Sequence, residues 1–425
     1  MEYTKKTIND IPVHYQKTSQ FKTILVSCKF INACDHSTIN QRSLLPELLT
    51  GATKKYPNRS LIQSELSGLY GTEISASTQK IGMQSVISFD MAFVNEKFLP
   101  GNPQIFTKAF KLLRDIIYNP KLYRGSFKKS LFIQEKRMLL EELKTEYHDK
   151  FSYSYTRFKQ LMFKDELFRY SARGDLDTLP ELSLEDMNKA YSQMHQNDLL
   201  EVYVVGDFSE TMLDEAIAEN FSTKQKNINV SWLDLETKTI SGIEQITEYG
   251  EVFQSRIFLG YRTPIQNPDP LYFAMMLYNI ILGDSDQAKL FLDIREKNQL
   301  SYDISSTYLP NKGVLFVFAG TEIGKENELI TKVQTIIADI DEASITEDDL
   351  ILAKETLKKR VLQGNDSLAH IINRTFFNLA LFKQEYSLTE TLAKIENVTA
   401  TDIISATKTM TPDTVYIYTQ KGADK

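Results

Sequence analysis

Cysteine is nearly absent: Cys28 and Cys34 are the only two in 425 residues. A disulfide framework is thereby excluded, and so few thiols suit a reducing compartment. Even with His36 nearby, the pair falls short of a structural zinc site, which takes four ligands at tighter spacing. Cys28 lies in the apolar run Ile24-Leu25-Val26-Ser27-Cys28-Lys29-Phe30 and reads as a small buried hydrophobe. A basic excess is also missing. The 49 Lys and Arg residues stand against 56 Asp and Glu, for a net charge of -7, so no surplus of cations is available for phosphates. Nucleic acid is therefore not an expected partner. The longest apolar stretch, Tyr272 to Leu282, is too short to cross a bilayer as a helix and reads as a buried core helix. Met1-Glu2-Tyr3-Thr4-Lys5-Lys6 leads into polar residues rather than an apolar core, so no signal peptide and a cytoplasmic location are expected.

What the chain does have is length and repetition. With 42% hydrophobic residues over 425 positions it can fill two domains of ordinary size. The segment Leu69-Tyr70-Gly71-Thr72-Glu73-Ile74-Ser75-Ala76-Ser77-Thr78 parallels Leu300-Ser301-Tyr302-Asp303-Ile304-Ser305-Ser306-Thr307, and a β-rich run follows each. The register holds further on, where Leu182 to Met187 parallels Val398 to Ile403 and both lead into Val-Tyr strands, at Val202 and Val415. Helical periodicity follows each first strand region, through Phe106, Phe110, Leu113 and Ile117 in one half and Leu329, Val333, Ile336 and Ile340 in the other. A repeat at this long spacing indicates domain duplication, not a solenoid. The expected organisation is an α+β domain over 1–222, a polar linker over 223–245 and a second α+β domain over 246–425.

A short segment decides the chemistry. Ser43-Leu44-Leu45-Pro46-Glu47 precedes Thr50-Gly51-Ala52-Thr53-Lys54-Lys55-Tyr56-Pro57-Asn58-Arg59-Ser60 and then Glu65 to Ser77. This arrangement resembles the M16 metallopeptidases, the family of insulin-degrading enzyme and mitochondrial processing peptidase. Ile116 to Pro120 and Phe258 to Pro264 look like further family segments, so the resemblance spans nearly the whole chain. It implies two homologous domains, each an antiparallel-rich sheet covered by helices, facing each other across a cavity. In the family, a helix carrying H-x-x-E-H binds zinc, because residues i and i+4 share a helical face and the intervening glutamate activates water. The resemblance puts Ser43 and Glu47 at the two histidine positions and Pro46 at the glutamate position. Serine is a poor zinc ligand, and proline carries no side-chain base. A structural reading needs no metal: Ser43 as N-cap, Leu44 to Pro46 as the first helical turn, and Leu45, Leu48 and Leu49 as an apolar stripe.

Two distal features are retained. Glu135 and Glu142 match the family's pair of supporting glutamates, the second of them a ligand there, and seven residues put both on one helical face. The plain alternative is a solvated helix face, since Lys136, Arg137 and Lys144 are interspersed. In the second half, Arg295-Glu296-Lys297-Asn298-Gln299-Leu300-Ser301-Tyr302 looks like the family's R-E-K-x-x-L-x-Y segment. The resemblance implies that Arg295 and Tyr302 grip the substrate backbone and the scissile carbonyl, roles that suit a guanidinium fork and a phenol donor. The glycine-rich turn expected before them is reduced to Leu282-Gly283-Asp284-Ser285-Asp286-Gln287.

These residues together imply a non-catalytic subunit, inactive alone and holding no metal. It would pair with an H-x-x-E-H-bearing M16-like chain that carries the zinc, and would contribute to peptide cleavage; a homodimer is the other assembly considered. Two alternatives belong to other classes. One is a catalytically silent peptide-binding or scaffold protein. The other is an autonomous metallopeptidase using Glu47, Glu142 and either His36 or His148.

Overall fold

The structure, a computed structural model, describes residues 3–101, 103–223, 232, 240, 242–340, 344–382 and 386–421. The chain divides into two compact units, residues 1–146, 170–232 and 365–377 in the first and 147–169, 233–364 and 378–425 in the second. Much of the polar stretch read as a linker lies outside the described residues, and its end already forms a strand at Glu244.

Unit 1 is built on β1 (Thr4–Ile8), β2 (Ile11–Lys17), β3 (Thr23–Ala33), β4 (Glu73–Ile81) and β5 (Gln84–Val94), a two-residue hairpin of β6 (Leu122–Tyr123) and β7 (Ser126–Phe127), and β8 (Leu199–Gly206). The six long strands run in the order β1-β2-β8-β3-β5-β4, with β2 and β8 parallel and the other neighbours antiparallel. Its helices are α1 (Ile39–Gly51), α2 (Arg59–Gly68), α3 (Ile105–Tyr118), α4 (Lys129–His148, shared with the start of the other unit), α6 (Leu184–Asn197), α7 (Glu210–Asn220) and α11 (Leu368–Phe377). Strand alternation sends Val26, Cys28 and Phe30 to one face, where they meet Leu44, Leu45, Leu48 and Leu49 of α1 and Phe106, Phe110, Leu113 and Ile117 of α3. Cys28 is buried and unpaired, as a small hydrophobe would be, and burial pushes its thiol pKa far up.

Unit 2 uses β9 (Glu244–Tyr249), β10 (Ser255–Arg262), β11 (Asp303–Leu309), β12 (Val314–Thr321) and β13 (Thr411–Thr419). Helices α5 (Lys150–Met162), α8 (Tyr272–Leu282), α9 (Glu326–Ala338), α10 (Glu347–Gln363), α12 (Leu388–Glu396) and α13 (Ala400–Thr407) cover them. The order β9-β13-β10-β12-β11, with β9 and β13 parallel, repeats the order β2-β8-β3-β5-β4 of unit 1 strand for strand. The sequence repeat thus maps onto matching elements. Leu69 and Leu300, both buried, each precede the matching hairpins β4–β5 and β11–β12. Ser183 with Asp186 and Thr399 with Asp402 each close a capping box that starts the helix before the Val-Tyr strand. The run Tyr272 to Leu282 is a core helix, with Met275, Leu277, Tyr278 and Leu282 buried. Among the described residues no helix is long and apolar enough to cross a membrane.

One helix in each unit comes from the other half of the sequence. Helix α5 packs on the unit 2 sheet, where Phe158 stacks on Phe258 at 5.5 Å and meets Phe316 edge-on at 5.1 Å. Gly260 allows this approach, because a Cβ there would lie 2.5 Å from Met162 Sδ and 2.9 Å from Phe158. Helix α11 lies on β3 and β8 of unit 1, over a polar sheet face carrying His14, Ser27, Lys29 and Glu201.

Candidate functional site

The helix holding Ser43 begins earlier than the sequence suggests. A 3-10 turn over His36–Thr38, whose Asp35 carboxylate accepts from the Ser37 amide at 2.8 Å, feeds directly into α1, so the N-cap is Thr38. Ser43 is therefore not the N-cap but an interior residue, and Pro46 sits inside the helix instead of in its first turn. An interior proline costs about 3 kcal/mol, chiefly because the carbonyl four residues back loses its donor. Here that carbonyl belongs to Arg42, and Thr78 of β4 supplies the missing donor, its Oγ1 lying 2.7 Å from the oxygen. Four buried leucines, at about 1.5–3 kcal/mol each, outweigh the remaining penalty and hold the helix in place. Arg42 itself is buried and tied down, with Nε donating to Ser85 Oγ and Nη1 to Asp198, both at 2.7 Å.

A guanidinium sits among the retained carboxylates. Glu47 on α1 lies 3.2 Å through Oε2 from Nη2 of Arg59, the first residue of α2, and the same nitrogen is 3.4 Å from Oε2 of Glu135 on α4. Glu135 is 2% exposed, which corrects the solvated-face reading for this residue, and its Oε1 has no hydrogen-bond partner. Burial raises its pKa above the ordinary carboxylate value; Arg59 opposes that shift, while Glu47 and Glu142 reinforce it.

A second arginine holds the other end of the motif. Arg173 accepts from Ser43 Oγ through its carbonyl at 2.5 Å, while its guanidinium lies 3.7 Å from Glu142 and 3.4 Å from Glu146. The next residue, Gly174, has φ +127°, and a Cβ there would stand 3.0 Å from Asn40 Oδ1 and 3.3 Å from Leu143, so glycine lets this loop lie against α1 and α4. Asn40 pins the same loop, accepting from the Asp175 amide at 2.7 Å and donating to Thr178 Oγ1 at 2.9 Å. His36 is engaged here too, 3.0 Å from Asp175 and stacked on Tyr170 at 3.9 Å. His148 is exposed at the end of α4.

This donor set does not fit zinc. Ser43 is spent on a backbone carbonyl, Pro46 offers no donor, and Glu47, Glu135 and Glu142 each face an arginine. Among the described residues, no three His, Cys, Asp or Glu side chains are placed to hold a metal ion. Sequence reading passed over Arg59, Arg173 and Thr78, all of which act through contacts distant in sequence that no local period reveals.

In unit 2, Arg295 lies in a π-helical stretch, Phe291–Lys297. Such stretches are uncommon and often fall at functional sites. Its guanidinium rests over the Phe291 ring at 4.6 Å, with Nε 3.6 Å from Glu296, and the side chain stays partly exposed. The turn that follows is firmly anchored: Leu300 is buried and its carbonyl accepts from Thr321 Oγ1 at 2.7 Å, while Ser301 Oγ donates to the Asp303 carbonyl at 3.0 Å. Tyr302, between these anchors, is 87% exposed and does not pack as an ordinary strand tyrosine. The reduced loop before this segment is structural, since Arg360 Nη1 holds Asp284 at 2.6 Å and a Cβ on Gly283 would come within 2.7 Å of the Ser306 amide.

Comparison with known proteins places the family and the fold. The family described as "Peptidase M16 inactive domain" matches residues 181–357. A Bacillus subtilis (strain 168) protein named "Probable inactive metalloprotease YmfF" is 30% identical over 406 residues, covering 96% of this chain and 95% of that one. A conserved protein from Enterococcus faecalis V583 shares the fold at a TM-score of 0.91, with 24% identity and 99% of each chain covered. The crystal structure of a peptidase M16 inactive domain from Pseudomonas fluorescens aligns at a TM-score of 0.81, with 17% identity, over 100% of this chain and 99% of that one. With its two repeated α+β units, and with Ser43 and Glu47 where the resemblance expects the two histidines and Pro46 where it expects the glutamate, the chain belongs to the M16 peptidase family, among its zinc-less members.

Proposed function

We propose that this catalytically inactive M16 member is one subunit of a two-chain peptidase, pairing with a zinc-bearing H-x-x-E-H relative and presenting Arg295 and Tyr302 to the peptide. The observation that carries the reading is an asymmetry between the units. In unit 1 the motif helix offers no histidine and arginines face its carboxylates, whereas Tyr302 of unit 2 follows a hydrogen-bonded turn with its side chain exposed. An exposed phenol donor and, in the same segment, a partly exposed guanidinium suit a peptide carbonyl and the negative charge that develops on it during cleavage. Zinc and the activating glutamate come from the partner, and a cytoplasmic setting accords with two buried free thiols.

The test is reconstitution. The purified chain mixed with its zinc-bearing relative should hydrolyse a fluorogenic peptide, and Tyr302→Phe should lower kcat by about 10- to 100-fold if its hydroxyl serves the transition state. Arg295→Ala should act more on KM, because it removes ground-state grip on the backbone. Unchanged kinetics in both variants would leave a silent scaffold as the better account.

A further inference from the structure

We infer that Arg59 is the resident counter-ion of the degenerate motif, its guanidinium taking the electrostatic place of a metal cation between Glu47 and Glu135 and keeping divalent metal out of this chain. This deepens the zinc-less reading above and rests on it only in concerning the same motif. The geometry is specific. A single nitrogen, Nη2 of Arg59, lies 3.2 Å from the Glu47 carboxylate, 3.5 Å from the Glu47 carbonyl and 3.4 Å from the Glu135 carboxylate, so one cation links α1 to α4. Glu135 is buried to 2% exposure, and an isolated carboxylate at such a position is strongly destabilising unless a cation or donors accompany it.

The replacement is incomplete in a way that follows from charge. A divalent ion balances two carboxylates; a guanidinium balances one. Independently of charge, no donor reaches one oxygen of Glu135, the buried Oε1, although its Oε2 faces Arg59. Arg173 repeats the device next door, its guanidinium straddling Glu142 and Glu146 while its carbonyl occupies the Ser43 hydroxyl. A metal entering between these carboxylates would have to displace Arg59 from both helices, so removing the guanidinium frees Glu47 and Glu135 together.

Thermal unfolding of the full chain and its variants, with and without micromolar zinc, tests the inference. Arg59→Gln leaves Glu135 buried without a cation and should lower Tm by about 3–6 °C. Adding Glu135→Gln to that variant should recover at least half of the loss, because the uncompensated charge is then gone. Zinc should raise the Tm of the Arg59→Gln protein while leaving the wild type and the double variant unmoved. Arg59→Lys, which keeps the charge on a poorer geometry, should melt between wild type and Arg59→Gln and ignore zinc. An Arg59→Gln protein that melts with the wild type, no recovery on adding Glu135→Gln, or the same response to zinc in Arg59→Gln and wild type, including none in either, would overturn the inference. No partner chain enters these measurements, so their failure is separate from a failure of the peptidase reconstitution.

Discussion

At the scale of single residues, the protein repairs its irregularities from a distance. Pro46 removes a helical donor, and Thr78, on a strand well along the chain, supplies a hydroxyl in its stead. Thr78→Val keeps the shape but orphans the Arg42 carbonyl, so a loss of about 1–3 kcal/mol by chemical denaturation is expected. In a Pro46→Ala background the helix regains its own N–H, and Thr78→Val should then be nearly neutral. An equal loss in both backgrounds would mean that the threonine acts through packing. His14 gives a second residue-scale prediction. Burial, and secondarily Lys5, lowers its pKa from 6.5 to about 4. The unfolded chain therefore binds a proton in this interval that the folded chain refuses, and stability is lost as pH falls from about 6.5 toward 4. The full effect is at most about 3 kcal/mol, and His14→Phe, which keeps a ring stacked on Tyr203, should flatten that slope. A variant as acid-sensitive as the wild type over this interval would assign the slope to other groups.

At the scale of elements, much was legible and some was not. The capping boxes at Ser183 and Thr399, the apolar run of α8 and the matching hairpins announce themselves through local pattern, because local hydrogen bonds and burial periodicity produce them. The start of α1 misled, since Ser43 has the composition of a cap while Thr38, without a capping side-chain bond, begins the helix. The exchange of α5 and α11 leaves no local trace at all, for it depends on which sheet accepts each helix. The two seats differ in chemistry. Helix α5 meets Phe258, Phe316 and Tyr416, whereas α11 sets Phe376 against Tyr203 at 5.6 Å and under Lys29 Nζ at 4.8 Å, beside a His14 Nε2 with no hydrogen-bond partner. Apolar burial holds a helix more firmly than a partly satisfied polar face. Amide hydrogen exchange should therefore be faster over 368–377 than over 150–162, and equal protection would contradict this ranking.

At the scale of the whole molecule, the duplication explains why the family could be read from scattered segments. Each half repeats the same strand order, so Leu69 to Thr78 and Leu300 to Thr307 report one architecture twice. The site was legible in part: the sequence marks Ser43, Pro46 and Glu47 as no zinc motif and singles out Glu135, Glu142, Arg295 and Tyr302, but not the contacts of Arg59 and Arg173 with the carboxylates. The proposed helper role rests on that difference between the units: guanidinium groups face the carboxylates of unit 1, while Tyr302 of unit 2 is exposed. The most direct measurement is the rate of peptide hydrolysis by the zinc-bearing relative with and without this chain. The account predicts no turnover by this chain alone and at least about a tenfold rise in the relative's rate when it is added. Turnover by the chain alone, or a relative whose rate is indifferent to its presence, would contradict it.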